Sequence, residues 1–299
     1  MDVSIIITTY NRKEQLLACV ASIKKADFSG IAWELIVVDD NSSDGTEEIV
    51  AEDLSVVNSQ IIHNPQNCLV VKSRNIGARA TQGKYVVFVD DDNILDVKMF
   101  QTLFDFAENN PEYGIVGPAM YWWHNKENYL DFQEINFFTG MTFGRKNNPP
   151  QKVFDSDGVP NVFLVRRTVF ETAGYFDEKL KNDYTEPDFA FNARKFGFKC
   201  GMIPEAKTYH NIAQKDLHGT RTLVGQFNND KAYYLMRNRI IIILRYGAWY
   251  HKLVFMLVFS WFWPLAYSFL MLKSGRPELM KIYWRGFWDG WRYFFSGKT

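Results

Sequence analysis

The sequence predicts an α/β fold, in which a mostly parallel sheet is flanked by helices. Strand-like and helix-like segments alternate about four times within the first 120 residues, which is the pattern of βαβ units. The strand-like segments are short runs rich in β-branched residues, as in strands that are buried on both faces. Polar residues follow several of these runs directly, and the carboxyl ends of parallel strands are where such sheets bind ligands.

Each element of this part follows from its residues. Val3–Thr8 is a buried strand, and Asn11 offers a side-chain cap for the helix that follows, with Glu14 three residues on. Further strands are predicted at Leu35–Val38, Gln60–His63, Tyr85–Val89 and Gly114–Met120. Further helices are predicted at 46–54, 73–80 and 94–109. Residues 121–160 read as irregular. Beyond them we predict a helix at Phe189–Phe196 and closing strands at Lys199–Ile203 and Thr208–His210.

Three adjacent carboxylates, Asp90, Asp91 and Asp92, come directly after the strand Tyr85–Val89. Because they repel one another, such a cluster needs a cation or a solvated surface. Residues i and i+2 of an extended segment face the same way, so Asp90 and Asp92 can share one target. Hard oxygen ligands suit Mg²⁺ or Mn²⁺, which also bind diphosphate oxygens. The alternative is an exposed acidic turn that caps the next helix.

Several segments together resemble a known family. The run Val3–Arg12 (VSIIITTYNR) resembles the opening of the family 2 glycosyltransferases of GT-A fold, and residues 37–46 (VVDDNSSDGT) resemble their second signature. Residues 74–77 (RNIG) and 88–92 (FVDDD) are similar to the third signature and the DxD motif, and residues 166–177 to the segment before the catalytic acid. The likeness runs from residue 3 to about residue 210. The C-terminal tail has no QxxRW motif, and this absence favours a non-processive enzyme. The resemblance is then to the rhamnosyl, glucosyl and galactosyl transferases of cell-surface glycan assembly.

The resemblance implies a role for individual residues. Those that would hold the nucleotide sugar are Thr8, Tyr10, Asp40, Arg74, Asp90 and Asp91. Asp92 would ligate the divalent cation, Mn²⁺ or Mg²⁺, and His210 at the end of a late strand would reach the cation or the diphosphate. Strand-end packing for Thr8 and Tyr10, and a surface ion pair for Arg74, are the simpler alternatives.

Glycosyl transfer with inversion also needs a carboxylate that takes the proton of the acceptor hydroxyl. The family usually presents Glu-Asp here, with an Arg six residues later. Alignment on Arg194 makes Asp188 the match for the base, while Pro187 replaces the usual Glu and leaves Glu186 as a second candidate one residue away. Alternatively, Asp188 only caps the helix.

The C-terminal part predicts membrane association. Leu253–Leu272 is a run of twenty uncharged residues, long enough for a bilayer core, with basic residues on both sides. Leu279–Phe295 combines a tryptophan stripe with a charged stripe, which suits a membrane surface. A span, a re-entrant hairpin, a surface helix and an ordinary buried helix all remain open. We therefore divide the chain into a catalytic domain at 1–230, with a nucleotide-binding half at 1–120 and an acceptor-binding half at 121–230, and a helical membrane-associating region at 231–299.

Charge and cysteine content point to a location. Residues 231–299 hold eleven Lys or Arg and two Asp or Glu, which leaves 23 and 32 in residues 1–230. A basic, tryptophan-rich tail suits an anionic lipid surface better than nucleic acid. Three widely spaced cysteines fit a reducing compartment, and the N-terminus does not read as a signal peptide. We expect the cytoplasmic face of the cell membrane.

These observations predict a metal-dependent inverting glycosyltransferase. Its partners would be a UDP-, GDP- or dTDP-sugar donor, a glycan or polyprenyl-linked acceptor and the membrane lipid surface, without nucleic acid. One alternative is a non-catalytic membrane scaffold that keeps a nucleotide-sugar site. A nucleotidyltransferase is a further alternative, although the Gly-rich basic loop usual after its first strand is missing here.

Overall fold

The structure, a computed structural model, describes residues 1–49, 54, 56, 58–145, 152–212 and 227–296. The strands are β1 (Val3–Thr9), β2 (Trp33–Asp39), β3 (Ser59–His63), β4 (Tyr85–Asp90), β5 (Asn93–Leu95), β6 (Tyr113–Trp122), β7 (Asn128–Leu130), β8 (Phe132–Asn136), β9 (Met141–Arg145), β10 (Phe154–Asp155), β11 (Val162–Arg166) and β12 (Lys199–His210). The helices are α1 (Lys13–Ile23), α2 (Leu69–Ala80), α3 (Met99–Asn109), α4 (Arg167–Ala173), α5 (Thr185–Arg194), α6 (Asn229–Tyr246), α7 (Trp249–Lys273) and α8 (Glu278–Phe295).

One large mixed sheet carries the fold, in the order β10-β12-β6-β11-β4-β1-β2-β3. Strands β3, β2, β1 and β4 are parallel to one another, and β6 is parallel to β12. Strand β11 is antiparallel to both β4 and β6, so β6 and β12 run in the same direction as β4. The carboxyl ends of β1, β2, β4, β6 and β12 therefore meet at one edge of the sheet. The predicted α/β class is confirmed.

The sheet is buried on both faces because its strands alternate apolar side chains between two layers of helices. Ile5 and Ile7 of β1 pack on one face with residues of α1 and α3, whereas Ile6 packs on the other face with residues of α2, α4 and α5. This two-sided burial explains why the strands read as continuous apolar runs. Within the described sheet it leaves the strand ends, and not the covered faces, open to a ligand.

Several local predictions were wrong. The helix predicted at 94–109 begins only at Met99, and Asn93–Leu95 forms the short strand β5, paired with β12. The predicted irregular segment contains β7, β8, β9 and β10, and the two closing strands are the single strand β12 with an irregularity between Ile203 and Lys207. Of the helix predicted at 46–54, Thr46–Glu48 is a 3₁₀ turn, while 50–53 lie outside the described residues, as do 146–151.

The cap of α1 also differs from the prediction. Asn11 has a positive φ, and its Oδ1 accepts from the backbone N–H of Ser43 instead of capping the helix. The backbone N–H of Lys13, at the start of α1, is bound by the carboxylate of Asp44 at 3.0 Å. A cap supplied from the loop after β2 fixes that loop against the end of β1.

The chain divides into two compact units. The larger unit comprises Met1–Glu134, Gly144–Glu178 and Glu186–Ile212 and holds the sheet. The smaller unit comprises Ile135–Phe143, Lys179–Thr185 and Ala213–Thr299. The boundary predicted between residues 230 and 231 stays a prediction, and two short internal segments join the C-terminal helices in the smaller unit.

The smaller unit has its own apolar core, formed by α6, α7 and α8. Its buried side chains include Met236, Ile240, Phe255, Tyr267 and Phe287. Helices α6 and α8 approach closely at two glycines: a Cβ at Gly290 would lie 2.8 Å from Cδ1 of Ile240, and one at Gly286 would overlap the carbonyl oxygen of Tyr233. Among the described residues, α7 is the one helix that is long and apolar enough to cross a membrane, judged by length and composition.

Candidate active site

The candidate active site lies in the larger unit, at the edge where the parallel strands end. Thr9 ends β1, Asp39 ends β2 and Asp90 ends β4, and these strands are hydrogen-bonded neighbours. Strand β12 ends at His210, which pairs with Trp122 at the end of β6. The predicted convergence of polar strand ends is therefore present in the structure.

Asp91 and Asp92 are linked to the end of β1 by one guanidinium. Nη1 of Arg12 lies 3.0 Å from Oδ1 of Asp91 and 2.9 Å from Oδ2 of Asp92. The hydroxyl of Thr9 donates to the second oxygen of Asp91 at 2.7 Å. Asp91 is buried, while Asp90 and Asp92 are partly exposed. The extended segment expected here ends at Asp90, because Asp91 and Asp92 form the turn between β4 and β5, and it is Asp91 and Asp92 that share one partner.

Strand β5 places Asp92 beside His210. Asn93 pairs with His210 in the antiparallel β5–β12 ladder, and the backbone N–H of Asn211 donates to the carbonyl of Asp92 at 2.7 Å. As a result Nε2 of His210 lies 3.4 Å from Oδ2 of Asp92. The other ring nitrogen, Nδ1, lies 3.2 Å from the hydroxyl of Tyr129. With the proton on Nδ1, His210 donates to Tyr129 and its Nε2 lone pair faces Asp92, whereas with a proton on Nε2 the ring donates to Asp92 instead.

Burial and neighbouring charges shift the pKa values of the three carboxylates in different directions. Burial raises the pKa of Asp91 to about 6, against the opposing charge of Arg12 and the hydrogen bond from Thr9. Burial also raises the pKa of Asp90 despite its Arg74 partner. For Asp92 burial acts in the same direction, but the hydrogen bond and charge of His210, together with Arg12, outweigh it and lower the pKa. Asp92 is therefore the carboxylate best held in its charged form.

Arg74 joins the sheet edge to helix α5. Its side chain is 3% exposed, and Nη2 lies 2.7 Å from Oδ1 of Asp90, while Nη1 lies 2.5 Å from Oε1 of Glu186. Asp188, two residues beyond Glu186 in the first turn of α5, is buried. Pro187 stands in that same first turn, where a helix needs no backbone donor. The departure from the Glu-Asp pattern is thus compatible with the helix.

The residues predicted to hold the base and ribose lie in different surroundings. Tyr10 is 47% exposed and Thr8 is partly exposed, so both remain open to a ligand. Asp40 is buried and accepts four hydrogen bonds.

 Asn64, Cys68 and Ser73 donate to Oδ1 of Asp40, and Leu69 donates to Oδ2. This carboxylate therefore holds the loop that leads into α2, and its contact with a nucleotide stays a prediction.

The sequence-based reasoning missed two residues of this site. Arg12 contacts both Asp91 and Asp92, and its place at the end of the first signature was the available signal. Tyr129 contacts His210 from β7, a strand that the sequence did not predict, and its ring stacks on Trp122 at 4.0 Å. No local pattern marks Tyr129, because its role depends on a partner 81 positions away.

The residues present can accommodate a divalent cation only with help from a ligand. Within the described ranges, no group of three His, Cys, Asp or Glu side chains is arranged to hold a metal ion. Asp92 and His210 form a pair whose oxygen and nitrogen lie 3.4 Å apart, close enough to bind one ion together. Water or diphosphate oxygens would complete the coordination, and the pair fits a cation that binds together with a nucleotide.

The sequence profile named "Glycosyl transferase family 2" matches residues 4–174. The chain belongs to this family. The chain is 34% identical over 245 residues to "Chondroitin synthase" of Escherichia coli, a match that covers 69% of this chain and 34% of that protein. It is 37% identical over 208 residues to "Uncharacterized glycosyltransferase EpsJ" of Bacillus subtilis, covering 68% of this chain and 59% of that one. The chain thus spans less than two thirds of the length of these relatives.

Solved structures of low sequence identity share the fold. GalNAc-T7, crystallised with UDP, GalNAc and Mn²⁺, matches with a TM-score of 0.63 at 16% identity, over 90% of this chain and 57% of that one. Residues 1–349 of S. aureus TarS in complex with UDP match with a TM-score of 0.55 at 17% identity, over 99% of this chain and 92% of that one. The predicted family and the GT-A type of fold are confirmed, whereas the roles of single residues stay predictions.

Proposed function

We propose that this protein is a metal-dependent inverting glycosyltransferase that moves a sugar from a nucleoside diphosphate sugar to a hydroxyl of a glycan. The observation that carries the proposal is the convergence of Asp92 and His210 at the sheet edge, where Arg74 links Asp90 to Glu186 on α5. Family membership supports the reaction class. The structures of relatives with UDP, and in one case with Mn²⁺, support the donor and the cation.

The residues divide the chemistry between two sides of the sugar. Asp188 takes the proton of the acceptor hydroxyl. At the same time the hydroxyl oxygen of the acceptor forms a bond to the anomeric carbon, and the bond from that carbon to the diphosphate breaks. Asp92 and His210 would hold the cation, which would supply positive charge for the diphosphate leaving group. Glu186 pairs with Arg74 at 2.5 Å, and we take Asp188, the position that matches the family's base, as the base. Tyr10, Thr8 and the other predicted residues line the donor side.

The acceptor and the location belong to the same proposal. We assign the smaller unit to the cytoplasmic face of the cell membrane, attached through its C-terminal helices. Its apolar helix α7 and the basic character of residues 231–299 support this assignment. A membrane-bound enzyme of this kind suits a glycan acceptor that is linked to a polyprenyl carrier. The donor nucleotide is UDP, GDP or dTDP.

Release of nucleoside diphosphate tests the proposal. The purified protein is incubated with Mn²⁺ and single UDP-, GDP- or dTDP-sugars, with and without a lipid extract, and the diphosphate is measured. We expect release with one donor, and we expect chelation of the metal to abolish it. Failure with every donor and extract would favour a non-catalytic nucleotide-sugar-binding scaffold instead.

Two matched variants then assign the base. Asp188→Asn should lower kcat by at least about a hundredfold, because a general base usually contributes at least that much to the rate. Donor binding should be unchanged. Glu186→Gln keeps a hydrogen-bond acceptor for Arg74 and should cost much less. Full turnover by Asp188→Asn, or the opposite order of the two variants, would remove Asp188 as the base.

A further inference from the structure

Helix α7 exposes an apolar stripe along its whole length. Of the 20 large apolar side chains that are strongly exposed among the described residues, twelve lie between residues 249 and 295. Six of these recur every three or four positions on α7 and are 41–69% exposed: Leu253, Leu257, Trp261, Leu265, Phe269 and Leu272. The opposite stripe is buried and includes Met256, Pro264, Tyr267 and Met271. One side of α7 therefore packs within the smaller unit, and the other presents apolar side chains outward.

Helix α8 lies beside the second half of α7. The ring of Trp261 is 6.2 Å from that of Trp291, and the ring of Tyr267 stacks on Tyr283 at 5.0 Å. The order of these contacts makes the two helices antiparallel neighbours. If this half of α7 enters a bilayer, the part of α8 that packs against it therefore lies at the same depth.

That part of α8 carries charges that are open to solvent. The side chains of Arg285 and Arg292 are 78% and 81% exposed, and both pair with Asp289, at 3.8 Å and 3.0 Å. At about 37 Å, α7 is long enough to cross a bilayer, so its length does not decide the arrangement. Crossing would carry these charges into the hydrocarbon, where they are costly. A helix pair that lies in the plane of the membrane leaves them among the headgroups.

We propose that the smaller unit lies in the plane of an anionic bilayer, with the outward stripe of α7 immersed and both ends of α7 on the same side. This inference rests on the membrane attachment proposed above. We call Lys273, at the end of α7, and Lys281, Arg285 and Arg292, on the neighbouring α8, the basic border; these residues attract anionic headgroups, and Trp288, 51% exposed, has the type of side chain that prefers the interface. The match between the basic border and anionic lipid favours a bilayer over a second copy of the chain.

Labelling at the two ends of α7 tests the arrangement. Single cysteines, Ala248→Cys and Ser274→Cys, are introduced with Cys68→Ser, since Cys19 and Cys200 are buried. The full chain is bound to preformed vesicles that contain about 30% phosphatidylglycerol, and a membrane-impermeant maleimide is added outside. We expect both positions to react as completely as in detergent. Protection of either position until detergent is added would show a crossing helix and overturn the proposal.

Immersion of the stripe is measured separately. Leu265→Cys, labelled with an environment-sensitive fluorophore, should shift to the blue when the same vesicles are added. Leu17→Cys, an exposed leucine of the larger unit, is the matched control and should not shift. Absence of a shift at residue 265 in vesicle-bound protein would overturn the proposal.

Charge reversal tests the basic border. Arg285→Glu combined with Arg292→Glu should lower partitioning onto the anionic vesicles by at least about tenfold. Reversal of Lys24 and Lys25, two exposed lysines of the larger unit, should have little effect. If the unsubstituted protein does not float with vesicles and forms a dimer in sedimentation, the stripe is a contact between copies and the proposal fails. The diphosphate-release assay does not depend on this result, so the two failures are distinguishable.

Discussion

At the residue scale, one buried guanidinium connects the two halves of the candidate site. Arg74 neutralises Asp90 at the end of β4 and Glu186 at the start of α5, which are 96 positions apart in the chain.

Loss of the Arg74 side chain should lower the stability of the protein strongly. Arg74→Met leaves both carboxylates without their counter-charge, and we expect the free energy of unfolding to fall by about 3 kcal/mol. Arg79→Met on the same helix is the control: its side chain is 52% exposed, and its loss should cost under about 1 kcal/mol. Urea denaturation of both variants checks this, and equal losses would contradict the assigned role of Arg74.

Tyr129 provides a second residue-scale prediction. Its hydroxyl holds Nδ1 of His210, so Tyr129→Phe should loosen the imidazole without removing the ligand. We expect the Mn²⁺ concentration for half-maximal diphosphate release to rise by about tenfold or more. Tyr121→Phe, on the neighbouring strand β6, is the control. An unchanged metal titration for Tyr129→Phe would mean that the ring is oriented by other contacts.

At the scale of elements, the packing of α6 on α8 depends on glycine. Alanine at Gly286 would gain about 1 kcal/mol of helix propensity, but its methyl group would overlap the carbonyl oxygen of Tyr233. We expect Gly286→Ala to lower stability by about 1–3 kcal/mol, because the two helices must separate. Lys281→Ala on the exposed face of α8 is the control. Thermal unfolding is the measurement, and a gain in stability would contradict this packing.

The elements also show what local patterns can predict. The central strands follow from their apolar runs, and Asp90, Asp91 and Asp92 follow from the strand before them. Strand β5 does not follow from any local pattern. Residues Asn93–Leu95 pair with residues 208–210, and their conformation depends on that long-range ladder. The Arg12 contact is equally non-local, spanning 79 positions to Asp91. Residue types at strand ends could therefore be predicted, but the contacts between them could not.

At the scale of the whole molecule, helices α7 and α8 form one apolar core together with α6 and are not a detachable tail. Removal of residues 253–299 would strip α7 and α8 from the cluster that buries Met236, Ile240 and Ile243 of α6. We expect this truncation to aggregate, because the apolar face of α6 would be exposed. Size-exclusion chromatography checks it. A monodisperse, folded protein would show that α6 is stable without these helices.

The carboxylate of Asp40 ties the sheet to the segment before α2, since it receives donors from Asn64, Cys68, Leu69 and Ser73. Substitution of this aspartate would release all four at once and disturb the loop whatever the nucleotide does. An inactive Asp40 variant would therefore say nothing about donor recognition by itself. Only a variant whose unfolding free energy is preserved could separate a lost ligand contact from a lost scaffold.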